Sequence, residues 1–202
     1  MSETQAAEFV EETSPAEIGR AEQYAFLVNE QGLPFGALGT ADEEYFACGR
    51  LELLSGRLPQ SGDEIAMTTS VLDSIGASYE LGQTVTFEAA NGVGDPVSLC
   101  YTLCGVLPSY DAYWAVDGNL PVDAILSGDE GLPLDWGYTV QLLCCYEKNV
   151  PLVPYQDGVQ DPTWVKNTYA YPEDAASLVG LAVFVAGSTF LTLCAVYGQC
   201  SI

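Results

Sequence analysis

The spacing of apolar positions changes period several times within a short stretch, Gly56–Phe87 ("GRLPQSGDEIAMTTSVLDSIGASYELGQTVTF"). Arg57–Asp63 is rich in turn formers, and Glu64–Met67 reads as a short buried strand. In "TTSVLDSIG" Val71, Leu72 and Ile75 fall on one helical face; Thr68 or Thr69 serves as N-cap and Gly76 stops the helix. Gly82 then turns the chain. Val85 and Phe87 alternate with Thr84, Thr86 and Glu88, the period of a half-buried strand.

On either side the pattern is again strand-like with short helical interruptions. Residues 2–13 are acidic and compatible with a helix that Pro15 ends, and Gln23–Val28 ("QYAFLV") reads as a strand. "NEQGLPFG" reads as a turn, and Tyr45–Leu54 as a strand or short helix ended by Ser55-Gly56. "NGVGD" (Asn91–Asp95) is a hairpin turn, and its partner strand lies in Pro96–Tyr110 with Val97, Leu99, Tyr101 and Leu103 on one face. Val122–Leu126 reads as a short apolar strand. Trp136–Glu147 is long enough for a central strand, and the proline-containing stretch after it reads as a loop. Tyr110, Tyr113 and Trp114 lie in an aromatic-rich segment, read as a plug beneath the sheet, with an exposed binding surface as the alternative.

The pattern changes at the end of the chain. Ala175–Ile202 holds no charged residue over 28 positions, where about 20 suffice to cross a bilayer. Gly180, Gly187 and Ser188 would let another helix approach closely. Tyr169 and Tyr171 fit an interfacial belt, Pro172 a helix start, and Glu173 and Asp174 a helix N-terminus. The expectation is one membrane-spanning helix at 173–202 behind a domain at 1–172. The opening residues carry no apolar export segment. A lone span behind such a start is expected of a piece of a longer polytopic protein, with a tail-anchored protein as the alternative.

Charge narrows the partners. Five basic residues face 28 acidic ones, with no histidine and a net charge of −23. Nucleic acids and anionic lipid surfaces draw their affinity from basic patches, so neither is an expected ligand of the domain. A solvated outer surface fits, as does attraction of a cationic ligand. Without histidine, Ser-His-Asp and Cys-His catalysis and most catalytic zinc sites fall away. Neither G-x-S-x-G nor a Walker A lysine motif is present. The carboxylate groups Asp42-Glu43-Glu44, Asp63-Glu64 and Asp129-Glu130 read as solvated surface or turns. No catalytic, cofactor-binding or metal-ligating residue is singled out, and no enzyme activity is expected.

The seven cysteines are Cys48, Cys100, Cys104, Cys144, Cys145, Cys194 and Cys200, and an odd number cannot all pair within the chain. Cys100 and Cys104 share a strand face, roughly 13 Å apart, too far to bridge. Cys144 and Cys145 are adjacent and point to opposite faces if extended. Most of the seven read as small buried apolar residues, with a disulfide at Cys48 left open.

"LLSGRLPQSGDEIAMTTSVLDSIGASYELGQTVTF" resembles a segment of the extracytoplasmic domain of FtsX-like (MacB-like) ABC transporter permeases. "YTLCGVLPSYDAYW" and "LPVDAILSGDEG" resemble the steps that follow it there, and the terminal apolar stretch sits where that family places a transmembrane helix. The resemblance covers roughly residues 17–202, best over Leu51–Trp114, and its residues are fold-forming ones. It implies an α+β, mixed, strand-rich extracytoplasmic domain with short helices, followed by one C-terminal transmembrane helix in the cell membrane. It also implies as partners an ABC ATPase subunit and the remaining permease helices, and export of, or work on, a peptide, lipid or protein substrate. The competing expectation is a tail-anchored acidic surface domain that binds a cationic peptide or protein. A secreted hydrolase is the third.

Overall fold

The computed structural model describes residues 1–92, 95–110, 121–133 and 135–146. The chain divides into two units, Met1–Val165 and Lys166–Ile202, and the described residues all belong to the first. The expected membrane helix at 173–202 lies outside them. Among the described residues no helix is long and apolar enough to cross a membrane.

The architecture is α+β. Helix α1 (Glu3–Thr13) leads into strands β1 (Glu17–Val28) and β2 (Pro34–Ala41), then helix α2 (Glu43–Gly49). β3 (Ser55–Gly56), β4 (Glu64–Thr68), helix α3 (Thr69–Ser74), β5 (Thr84–Ala90), β6 (Val97–Leu107), β7 (Val122–Leu126) and β8 (Thr139–Cys145) follow. The strands form one mixed sheet ordered β2-β7-β4-β6-β5-β1-β8, and β2 also pairs with β1. Phe26, Leu27 and Val28 of β1 bond β2 along one edge and β5 along the other. The sheet therefore closes: β1, β2, β7, β4, β6 and β5 form a ring, and closure removes the unpaired edges an open sheet would present. Two neighbours in the ring, β2–β7 and β4–β6, run parallel; the others are antiparallel.

Alternation along the strands sorts residues into two apolar clusters. Ile65 and Met67 of β4 join Leu27, Leu38, Val85, Phe87, Leu99, Tyr101 and Leu103, together with Val71 and Leu72 of α3. Ala66, between them in sequence, joins Tyr45 and Phe46 of α2, with Leu107, Tyr110 and Ile125. β4 and β7 are thus buried on both faces, which explains why they are mostly apolar and do not alternate.

The segment Gly56–Phe87 folds as its sequence reads. Thr68 caps α3 through its hydroxyl, which accepts the Val71 amide at 3.4 Å. Gly76 and Gly82 take φ of +69° and +85°, left-handed values that glycine adopts without cost. Val85 and Phe87 are buried while Thr84, Thr86 and Glu88 are exposed. The β5–β6 hairpin pairs Thr84 with Thr102 through Ala89 with Val97. α1 appears where expected, closed by a capping box between Ser2 and Gln5.

Four readings change. β1 begins at Glu17, six residues before the expected start, because β8 pairs its first half. β2 replaces the latter part of the expected turn. Its Pro34, Gly36 and Gly39 hide the strand pattern, and Gly39 is required by proximity: a Cβ there would stand 2.1 Å from the carbonyl oxygen of Glu22 on β1. β8 bonds only β1 among the described residues and is an edge strand rather than a central one. The cysteines are less buried than expected. Of the five described, Cys48 alone is buried, Cys100 is exposed, and Cys104, Cys144 and Cys145 are half-buried. Of the aromatic segment, Tyr110 is buried and its hydroxyl donates to the Val122 carbonyl, as a plug would; Tyr113 and Trp114 lie outside the described residues.

Candidate ligand cleft

The sheet surface near the β1–β2 hairpin carries an open cleft of about 590 Å³. β1 supplies Arg20, Glu22 and Tyr24, alternate residues that share a face. β2 contributes Thr40, and the residues after β7 and before β8 contribute Asp129, Trp136 and Tyr138.

Its polar framework centres on Arg20. The guanidinium forks onto the carboxylate of Glu3 at 2.6 and 3.0 Å, and also donates to Glu22 Oε1 at 2.8 and 3.3 Å. Paired with two carboxylates, Arg20 is held more firmly protonated than usual; its hydrogen bond to Glu3 is the largest cause and that to Glu22 the next. The same hydrogen bond with Arg20 keeps Glu3 below its ordinary range. The other oxygen of Glu22 accepts the Tyr24 hydroxyl at 2.7 Å. Burial first, and then that carboxylate, push the Tyr24 phenol up to about 12. Asp42, also at the cleft, works on the backbone: one oxygen accepts both the Arg20 amide at 2.9 Å and the Tyr45 amide at 2.7 Å, tying the start of α2 to β1.

Three carboxylates, Glu22, Asp42 and Asp129, line the cleft against Arg20, whose charge is already met. Tyr138 packs edge-on against Tyr24 at 5.9 Å between ring centres and is about half exposed. An acidic pocket with aromatic walls suits a cation, which carboxylates attract and ring faces stabilise.

Sequence reasoning singled out no site residue. It placed Asp42 and Asp129 on surface or turns, which is where they lie. It passed over Asp123, a charged residue inside the apolar run "VDAIL". That residue is fully buried, and its Oδ1 accepts the Ala37 amide at 2.8 Å, bracing β7 against β2. The lone charge in an apolar strand was the available signal.

No family model and no curated protein matches the chain. Solved structures similar to it include the following two. One is a domain assigned to a permease from Porphyromonas gingivalis, 13% identical, covering 72% of this chain and 62% of that one, with a TM-score of 0.38. The other is the periplasmic region of MacB from Actinobacillus actinomycetemcomitans, 15% identical, covering 93% of this chain and 75% of that one, with a TM-score of 0.34. The chain spans about three-fifths of the length of the first.

Proposed function

We propose that this chain is the extracytoplasmic part of an ABC transporter permease of the FtsX/MacB type. In this reading it transmits ATP-driven movement of membrane helices to an extracytoplasmic substrate, and it performs no catalysis of its own. The observation that carries it is the folding of Gly56–Phe87. The residues that resemble the family's segment form one continuous β4–α3–β5 unit at the middle of the sheet, with Gly76 and Gly82 at its turns. The uncharged stretch Ala175–Ile202 would mount the domain on the membrane.

Sidedness is tested through Cys100, which is exposed on β6. In a full-length variant retaining Cys100 as its sole cysteine, a membrane-impermeant maleimide should label intact cells. Labelling that appears only after lysis overturns the reading. Coupling is tested by co-expressing the chain with an ABC ATPase of the MacB type. The two should co-purify in detergent, and the ATPase running free would sink the proposed partnership.

The acidic, aromatic cleft favours a second reading, a domain that captures a cationic peptide. An arginine-rich peptide should then bind in a salt-sensitive way and bind more weakly to D129N. Equal binding by both proteins would rule the cleft out as the capture site.

A further inference from the structure

A second cluster lies at the first residue of β1 and the last of β8. Glu17 and Cys145 are direct cross-strand partners there, and the Ala16 amide donates to the Cys145 carbonyl at 2.8 Å, holding the two strand ends in register. α2 crosses the same end of the sheet and brings Cys48 onto the pair. The donor atoms of Glu17, Cys48 and Cys145 all lie within 4.8 Å of one another, with Cys48 buried, Cys145 half-buried and Glu17 exposed. They come from three separate elements, 31 and 97 positions apart in sequence (17 to 48, 48 to 145).

We propose that Glu17, Cys48 and Cys145 form a binding site for a thiophilic divalent cation of the zinc class. Two thiolates and one carboxylate are a donor set that such ions accept. Metal–sulfur bonds of about 2.3 Å and metal–oxygen bonds of about 2.0–2.2 Å put tetrahedral ligand atoms just under 4 Å apart, a small contraction of the cluster as it stands. Glu17 faces solvent, which gives the ion an entry path and leaves a fourth position for water. The balance is simple: the ion binds two thiols and one carboxylate, both thiol protons leave to solvent, and nothing is oxidised. Burial, followed by the hydrogen bond with Cys145, pushes the Cys48 thiol up to about 12. Bound there, the ion would pin α2 to the strand end from which the chain continues toward the residues after Cys145.

The test uses the full-length chain in detergent, reduced with a phosphine under anaerobic conditions and titrated with Cd²⁺. The expected result is an ultraviolet thiolate-to-cadmium charge-transfer band that saturates at one ion per chain, with a rise in the unfolding temperature. Both should be lost in C48S and in C145S and weakened in E17Q, while C100S, which removes an exposed thiol elsewhere, should retain both. Because Cys48 is buried, C48S could fail to fold; C145S, at a half-buried position, then decides. A band that survives in C145S overturns the proposal. So does a reduced wild-type chain that shows no band, with air oxidation instead removing two hydrogens between Cys48 and Cys145, since the pair would then be a disulfide and not a metal site.

Discussion

A Cβ atom on Gly19 would stand 2.2 Å from the Cα of Tyr45. Helix α2 rests directly on the backbone of β1, closer than any side chain would allow. This contact lets Asp42 reach the Arg20 amide and brings Cys48 down to Glu17 and Cys145.

Gly19→Ala should therefore destabilise the domain. The collision is with backbone, which cannot rotate away, so the helix must lift. The expected loss is about 1–3 kcal/mol, the range for an overpacked core. Denaturant unfolding of wild type and variant measures it, and an unchanged midpoint would show that α2 is not held at this distance.

Asp123→Ala should cost about 1–3 kcal/mol, because the Ala37 amide would remain buried without its acceptor. Asp123→Asn keeps an oxygen for that amide and should lose less. Gly36 belongs to the same arrangement: a Cβ there would lie 3.0 Å from Asp123 Oδ1 and 2.9 Å from a Val71 methyl. Chemical denaturation of the two Asp123 variants under identical conditions checks the order.

Acid should remove the contribution of one surface pair. Arg57 forks onto Glu64, one hydrogen bond measuring 2.8 Å and the other, to Oε1, being shorter. That hydrogen bond first, and the Gln60 amide second, bring Glu64 down to about 2 from an ordinary value of 4.5. A carboxylate depressed in the folded state stabilises it above the unfolded pKa, and the contribution fades as pH falls from about 4.5 through about 2. The midpoint difference between wild type and Glu64→Gln should be constant at neutral pH and shrink across that window. A difference that stayed flat down to pH of about 2 would contradict the pairing.

Thr68→Val keeps the shape of a fully buried side chain and deletes the hydroxyl that caps α3. The loss should be about 1 kcal/mol, as for other N-caps. Amide hydrogen exchange at Val71 should accelerate more than exchange across the β5–β6 hairpin, and equal acceleration would mean that Thr68 acts through packing alone.

The β4–α3–β5–β6 run was legible because its instructions are local. Capping threonine, turn glycines and the two-residue period of Val85 and Phe87 act within a few positions of themselves. β2 was illegible for the opposite reason. Gly36 and Gly39 look like turn residues until the Asp123 carboxylate and the Glu22 carbonyl are seen crowding against them. β8 reads as long enough for the middle of a sheet, yet its place at the edge depends on which strand pairs with the first half of β1.

By itself, then, the sequence determined the strand-rich class, the turns and helix stops, and the excess of acid that excludes basic-patch ligands. Tertiary structure alone decided the closure of the sheet through β1, the seating of α2 on Gly19, and the meeting of Glu17, Cys48 and Cys145. The physical reason is that periodicity reports which side of a strand is buried but not what it is buried against. Partners a hundred positions apart are chosen by packing, and packing is a property of the folded whole.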